Sequence, residues 1–148
     1  MKITERSHYG LRAMVDLAQN STHGPVSVKE ISEREGIPLR YLEQVLNRLK
    51  KGRLVKGVRG PGGGYVLARS PESITARDVL AAVEDSSTGD VVNIDCTGAR
   101  TGEGRLCCEE SCLSKRVWVT LALRVDEVLR QFSLADLIEG VDVEEATR

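Results

Sequence analysis

The segment from residue 27 to 52 restricts the fold of this chain more than any other part of the sequence. It opens with Ser27–Glu30, a capping box in which a hydroxyl and a carboxylate satisfy free backbone amides at the start of a helix. Gly36 is expected to end this helix, and Pro38 suits the first position of a second helix that Gly52 stops. Two helices joined by a short turn containing glycine predict a helix-turn-helix.

The second helix of this pair has two chemically different faces. Its leucines recur at helical spacing and are expected to face inward: Leu39, Leu42, Leu46 and Leu49. Its outward face is polar and basic: Arg40, Glu43, Gln44, Asn47 and Arg48. A helix of this kind suits the major groove of double-stranded DNA.

Glycines dominate the segment that follows this helix. Leu54–Val58 and Tyr65–Ala68 are predicted strands, and Arg59–Gly64 is the predicted tip of a hairpin between them. A phosphate-binding nucleotide loop would need a Lys-Ser/Thr pair and a helix behind the glycines, and neither is present. The hairpin is therefore interpreted as a wing, and the expected fold is mainly α with a small β-hairpin wing.

Charge divides the chain at about Ser70. Residues 1–70 carry 13 basic and 6 acidic side chains, whereas residues 71–148 carry 8 basic and 16 acidic ones. A basic half joined to an acidic half predicts a domain that binds a polyanion, although a solvated basic face would have the same composition. We therefore expect residues 1–70 to form a DNA-binding domain.

The rest of the chain is predicted to be largely helical, apart from one cysteine-containing loop. Thr4 can cap a first helix that runs to Gln19, and Thr75–Asp78 is a second capping box. The expected units after the DNA-binding domain are a connecting helix at 71–84, a cysteine-rich loop at 85–112, and a long dimerisation helix with an acidic tail at 113–148.

A heptad pattern runs along that long helix, from Leu113 to Phe132. Its members step by three and four residues: Trp118, Leu121, Val125, Val128 and Phe132. Such a seam suits pairing with a second copy, and a two-fold dimer would present two recognition helices to successive major grooves. The alternative is that the stripe packs on the chain's own core.

All four cysteines fall within 17 residues, at Cys96, Cys107, Cys108 and Cys112. The N-terminus has no apolar leader and no segment is long enough to span a membrane, so we expect a cytoplasmic protein in which clustered thiols bind metal or react in redox chemistry. The spacing lacks the paired knuckles of a zinc ribbon and favours an iron-sulfur cluster. Zinc, a thiol switch and unliganded cysteines stay open.

Catalytic patterns are missing from the sequence. No Ser/His/Asp set, catalytic carboxylate pair or cofactor fingerprint is evident, and the two histidines, His8 and His23, lie far from the cysteines in sequence. We expect neither an enzyme nor a small-molecule substrate.

Five segments carry a family resemblance: Met1–Thr4, Tyr9–Leu17, Ile31–Glu33, Tyr41–Gln44 and Val58–Tyr65. Together they resemble the IscR-type iron-sulfur cluster regulators, relatives of NsrR and CymR, and the Arg-Gly-Pro-Gly-Gly-Gly-Tyr run of the wing is the most specific of them. The resemblance covers nearly the whole chain. It implies a homodimeric winged-helix transcription factor that binds a DNA operator.

The resemblance also implies which residues would contact DNA. The residues that would face major-groove bases are Arg40, Tyr41, Glu43 and Gln44, and Arg59 of the wing would enter the minor groove. Independently of the resemblance, the wing glycines, among them Gly60, permit close approach of the backbone to phosphate. Glutamine can bond adenine, and Arg40 or Arg48 can bond guanine or phosphate. A carboxylate near DNA repels phosphate unless it accepts a hydrogen bond from cytosine or acts against binding at other sites, so replacing Glu43 is expected to broaden specificity instead of abolishing binding.

A cluster, most simply [2Fe-2S], is the implied cofactor, held by cysteines of the 85–112 loop. Relatives place a histidine three residues after the last cysteine as fourth ligand, and this chain has Lys115 there. A protonated lysine cannot coordinate iron, so the fourth ligand is expected to be His8, the extra thiol of the Cys107–Cys108 doublet or another residue. This departure leaves two alternatives, a nitric-oxide or thiol-redox sensing repressor of the same architecture and a winged-helix module with structural zinc.

Overall fold

A computed structural model describes residues 4–84 and 113–140. Its elements in chain order are α1 (Glu5–Asn20), α2 (Val28–Glu35), α3 (Leu39–Lys51), β1 (Val55–Val58), β2 (Gly64–Leu67), α4 (Ala76–Val83), α5 (Leu113–Gln131) and α6 (Leu134–Glu139). Short 3₁₀ turns precede α2 and α4. The expected class, mainly helical with one small hairpin, is confirmed.

Side-chain caps start these helices where the sequence predicts. Thr4 accepts a hydrogen bond from the Ser7 amide at the start of α1, and both bonds of the capping box form at Ser27 and at Thr75. A further box at Ser133 starts α6. The local sequence therefore fixes most helix starts.

The turn between α2 and α3 has the expected glycine. Gly36 adopts the left-handed conformation at φ 64° and ends α2. Pro38 is the N-cap of α3, and the helix begins at Leu39, one residue later than predicted, because the ψ of Pro38 is 129° and therefore extended. Ile37 between them is 1% exposed and anchors the turn in the core.

Two arginine–carboxylate pairs fix α1 against the end of α2. Arg34 donates through Nε and Nη2 to the two oxygens of Asp16 at 2.8 and 2.9 Å, and the Asp16 carboxylate is 3% exposed. The hydrogen bond to Asp16 raises the pKa of Arg34. Arg12 donates from Nε to Glu35 at 2.8 Å. These contacts set the orientation of the helix that precedes the recognition helix.

The hairpin pairs β1 with β2 in antiparallel register, from Val55 opposite Leu67 to Val58 opposite Gly64. Val26 adds one bridge on the outer side of β2, exchanging hydrogen bonds of 2.9 and 2.8 Å with Tyr65. This bridge ties the wing to the entry of α2.

One core joins helices from both ends of the described chain. Its fully buried side chains include Met14, Leu17, Leu42, Leu46, Leu49, Ile74, Val79, Val83 and Leu134. Leu39, predicted to face inward, is 45% exposed. It is the first residue of α3, and because helical side chains lean toward the N-terminus, it extends past the core, while Val45 takes the inward position.

The long helix α5 carries apolar side chains on its surface. Of the predicted seam, Trp118, Leu121 and Val128 are 43%, 37% and 47% exposed, and Val117, which is not a member of it, is 64% exposed. The remaining members of the predicted seam, Val125 and Phe132, are half-buried. One edge of the heptad pattern thus packs on the chain's own helices, and the other faces outward.

The chain closes on itself after α5. The Ala76 amide donates to the Phe132 carbonyl at 2.8 Å, and the Leu134 amide donates to Ile74 at 2.9 Å. Leu134 is fully buried and α6 packs on α1. Arg77 of α4 also binds Asp126 of α5 at 2.9 Å.

Three expectations lie outside the described residues: the 85–112 loop, its cysteines (Cys96, Cys107, Cys108 and Cys112), and the acidic tail after residue 140. Among the helices that the structure describes, none has the length and apolar character needed to cross a membrane.

Candidate nucleic-acid interface

The outward face of α3 is polar and open. Arg40, Glu43, Gln44 and Asn47 are exposed along it, whereas Leu42, Val45, Leu46 and Leu49 on the opposite face are buried. The helix is therefore held by its apolar side, and its polar side is left free to contact a ligand. Arginine and glutamine side chains with this freedom can form bidentate hydrogen bonds with base edges.

Two predicted contact residues lie on the flank of α3 instead. Tyr41 is half-buried, and its ring packs edge-on against Tyr9 of α1 with centroids 5.5 Å apart. Arg48 is half-buried, and its Nη1 donates to the carbonyl of Val83 at 3.4 Å. In this structure both side chains connect the recognition helix to its supporting helices.

The wing tip is exposed and needs its glycines. Arg59 and Gly60 are exposed, and Gly60 and Gly62 have φ values of 100° and 75°, which favour glycine. The Gly63 amide donates to Gly60 at 2.9 Å and closes the turn. A Cβ added at Gly64 would overlap the carbonyl of Val26, so this residue permits the bridge that fixes the wing.

A groove of about 890 Å³ lies between the last turn of α3 and β1. Four cations line it: Lys50, Arg53, Lys56 and Arg69. Arg69 lies 3.8 Å from Asp78, and within residues 4–84 and 113–140 the other three form no ion pair. The sequence revealed the surplus of positive charge here, but it did not reveal the groove.

Glu84, which follows α4, contacts the first turn of α1. Glu84 accepts hydrogen bonds through Oε1 from the hydroxyls of Thr4 and Ser7, the latter at 2.6 Å. His8, the proposed extra ligand, is exposed on the same turn, with its ring centroid 5.7 Å from that of Tyr9. Glu84, the residue before the predicted cysteine loop, therefore binds the same turn of α1 that carries His8, a contact that sequence reasoning missed.

Metal-binding groups are not evident in the part of the chain that the structure covers, since no three His, Cys, Asp or Glu side chains of residues 4–84 and 113–140 converge. All four cysteines lie beyond those residues. Lys115 lies in the first turn of α5.

Sequence comparison finds known proteins similar over nearly the whole chain. Residues 3–140 match the Rrf2 family, which is described as iron-dependent transcriptional regulator. The HTH-type transcriptional regulator IscR of Sodalis glossinidius is 40% identical over 145 residues, covering 97% of this chain and 82% of that protein.

Solved structures agree with this match. IscR of T. potens superposes with a TM-score of 0.73 at 35% identity, covering 98% of this chain and 91% of that one. CymR, the global cysteine regulator of B. subtilis, also superposes with a TM-score of 0.73, at 33% identity over 96% of this chain and 99% of its own.

Proposed function

Because this chain belongs to the Rrf2 family of iron-dependent transcriptional regulators, we propose that it is a homodimeric operator-binding regulator that senses iron-sulfur cluster supply. The observation that carries the DNA-binding part is the open polar face of α3 beside an exposed, glycine-built wing. The sensing part is supported by the cysteine content and by relatives named IscR.

In the proposed complex, α3 enters the major groove and the wing enters the adjacent minor groove. Arg40 and Gln44 contact bases, Arg59 enters the minor groove, and Gly60 lets the backbone approach phosphate. Glu43 selects against operators on which its carboxylate would meet phosphate or an acceptor. Tyr41 and Arg48 can reach DNA only from the flank of α3, so their contacts would be with the phosphate backbone.

The exposed apolar face of α5 supports the homodimer. Val117, Trp118, Leu121 and Val128 are exposed apolar side chains on this helix, and apolar surface gains about 25 cal/mol for each Å² removed from water. A second copy of α5 fits the stripe because the pattern is self-complementary under two-fold symmetry. A two-fold dimer would present two copies of α3, the number that a palindromic operator requires.

The donor set fits an iron-sulfur cluster. Cys96, Cys107 and Cys112 would ligate iron, and the fourth ligand would be Cys108 or His8. Four thiols in one segment are soft ligands of the kind that such clusters prefer. When bound, a cluster would link these ligands to one another, and its occupancy would depend on the supply of iron and sulfide.

Glu84 provides a route from that segment to the DNA-binding half. Its carboxylate binds Thr4 and Ser7 at the start of α1, and α1 holds α2 through Asp16 and Arg34. A change in the segment that displaces Glu84 would therefore act on the helix supporting the helix-turn-helix. Operator preference would then differ between the loaded and cluster-free protein.

A second candidate function is a cysteine-responsive or thiol-redox regulator without a cluster. It is favoured by the superposition on B. subtilis CymR, which has the same TM-score as T. potens IscR. The two functions make opposite predictions for metal content.

Iron, sulfide and zinc analysis of protein purified without oxygen, with its visible spectrum, separates the two functions. The proposal expects iron and sulfide in near-equal amounts and absorption in the visible range. Replacing Cys96 by alanine should abolish the iron and sulfide content and the visible absorption. Cys108 and His8 are replaced one at a time, and the replacement that shifts the spectrum identifies the fourth ligand. His23→Ala is the matched control, because His23 is exposed on the 3₁₀ turn after α1. Metal-free or zinc-loaded wild-type protein would contradict cluster sensing.

A further inference from the structure

We propose that the basic groove between α3 and β1 receives a phosphate of the DNA strand that separates the two DNA grooves contacted by the protein. The proposal rests on the proposed function and adds a binding site to it. Lys50, Arg53, Lys56 and Arg69 line the groove, and none of them belongs to the base-reading face of α3 or to the wing tip.

Geometry selects a DNA strand as the occupant. In a B-form duplex, the sugar-phosphate backbone is the wall between a major groove and the next minor groove. A protein that places a helix in the major groove and a hairpin in the next minor groove must span that sugar-phosphate backbone. The groove lies between the last turn of α3 and β1, the strand that leads to the wing tip. At this point helix and strand are close, because the Lys50 ammonium lies 3.6 Å from the position that a Cβ on Gly57 of β1 would occupy.

Charge agrees with this occupant. The groove has four cations, and Asp78 beside Arg69 is the one acidic partner among residues 4–84 and 113–140. Cations held together without acidic partners repel one another, so a phosphate entering the groove relieves that repulsion. Guanidinium groups suit phosphate because they can donate two parallel hydrogen bonds.

The backbone of Arg53 supplies independent support. Arg53 donates to Lys50 and Leu54 donates to Leu49, both at 3.0 Å, which is the pattern of a Schellman motif with Arg53 in its left-handed position. Its φ is 59°, and among residues 4–84 and 113–140 it is the one non-glycine with positive φ. Glycine is usual at this position, and unfavourable backbone conformations tend to persist where a side chain has a function.

The glycine next to Arg53 has another use. A Cβ added at Gly52 would lie 2.7 Å from the Cβ of Ala82, so Gly52 permits the close approach of α3 to α4. Close packing against α4 thus requires a glycine at position 52, whereas the left-handed turn conformation falls on its neighbour Arg53. Arg53 remains in the turn position with its side chain lining the groove.

The test is Arg53→Gly, a variant that removes the cation and favours the existing backbone. Arg124→Ala is the control, because it also removes one positive charge from a side chain that is 75% exposed, on α5. Binding is measured by fluorescence anisotropy as a function of salt, on a duplex of about 30 base pairs, long enough for two half-sites one helical turn apart. One duplex has mixed sequence, and a second is selected from a random library with the wild-type protein.

Each lost phosphate contact lowers the slope of log K against log salt by about 0.9, so a dimer should lose about 1.8 and bind roughly 60-fold more weakly at 0.1 M salt. Base preference should not change, because phosphate contacts do not read sequence. The melting temperature of Arg53→Gly should equal or exceed that of the wild type, which separates lost contact from lost folding. Lys56→Ala should reproduce the loss.

Three outcomes would overturn the inference. The first is an Arg53→Gly salt slope equal to that of a DNA-binding wild type, which would leave the proposed function standing. The second is an equal loss in Arg124→Ala, which would indicate a general effect of net charge. The third is a wild-type protein that binds neither duplex in a salt-dependent way, which would remove the proposed function as well.

Discussion

The pair between Arg34 and Asp16 permits a sharp prediction, because its two members differ in burial. The Asp16 carboxylate is 3% exposed and the Arg34 side chain is 39% exposed. Removing Arg34 leaves a buried carboxylate without its cation, whereas removing Asp16 leaves a guanidinium that can turn toward water. We therefore expect Arg34→Ala to destabilise the protein more than Asp16→Ala.

The magnitude follows from burial. Breaking a fully buried pair by removing one partner costs about 3 to 5 kcal/mol. Because the Arg34 side chain is partly exposed, water screens its interaction with Asp16. We therefore expect the free energy of unfolding to fall by about 2 to 3 kcal/mol for Arg34→Ala and by about 1 to 2 kcal/mol for Asp16→Ala. At about 2 to 4 °C per kcal/mol, the melting temperature of Arg34→Ala should fall by roughly 5 to 10 °C.

Urea unfolding followed by circular dichroism measures both variants at one protomer concentration, since a dimer makes stability depend on concentration. The control is Lys29→Ala on the same helix. Lys29 lies 3.8 Å from Glu33 with side chains 79% and 67% exposed, so its loss should change stability by no more than about 0.5 kcal/mol. The reasoning is wrong if Arg34→Ala costs no more than Lys29→Ala, or less than Asp16→Ala.

Three further predictions concern the wing, acid stability and the dimer. Gly64→Ala should detach the wing from Val26 and weaken DNA binding at least tenfold with α-helix content unchanged in circular dichroism; undiminished binding would contradict the role given to the bridge. Hydrogen bonds from Arg130 and then Arg77 lower the pKa of Asp126, so the stability this carboxylate contributes is complete above about pH 5 and is lost as the pH falls through its folded-state pKa. In Asp126→Asn, the free energy of unfolding measured from pH 3 to 7 should fall less steeply at acid pH than in the wild type. An unchanged fall would assign it to other carboxylates. Trp118→Glu should give a monomer in sedimentation experiments, and a dimer that persists would move the interface away from the exposed stripe of α5.

Sequence reasoning works in this chain where structure is decided by neighbouring residues. The capping residues Thr4, Ser27 and Thr75 bind amides within three positions of themselves, and Gly36 ends α2 through its own backbone freedom. The helix-turn-helix and the hairpin are predictable for the same reason.

Features that depend on distant contacts were not predictable. The Asp16–Arg34 pair joins residues 18 positions apart, and the relative phase of two helices decides whether such side chains meet. Leu39 follows the helical spacing of the other leucines of α3, but it lies at the start of the helix, beyond the buried core. The sequence also suggests Gly52 as the turn residue of α3, whereas packing against α4 uses that glycine and leaves the left-handed position to Arg53.

The backbone bridge at the end of α5 bears on how such a protein can evolve. Hydrogen bonds between the strand-like residues around Thr75 and Ser133 return the chain to the core after α5, and Glu84 is fastened to the start of α1 before the cysteine segment begins. Contacts outside residues 85–112 therefore hold Glu84, which precedes that segment, and the far end of α5, the helix that follows it. Lengthening it, shortening it or exchanging its ligands leaves those contacts in place, and the entropic cost of a longer connection grows only slowly with length. A single DNA-reading body can therefore acquire different chemical inputs by replacement of one interval of the gene.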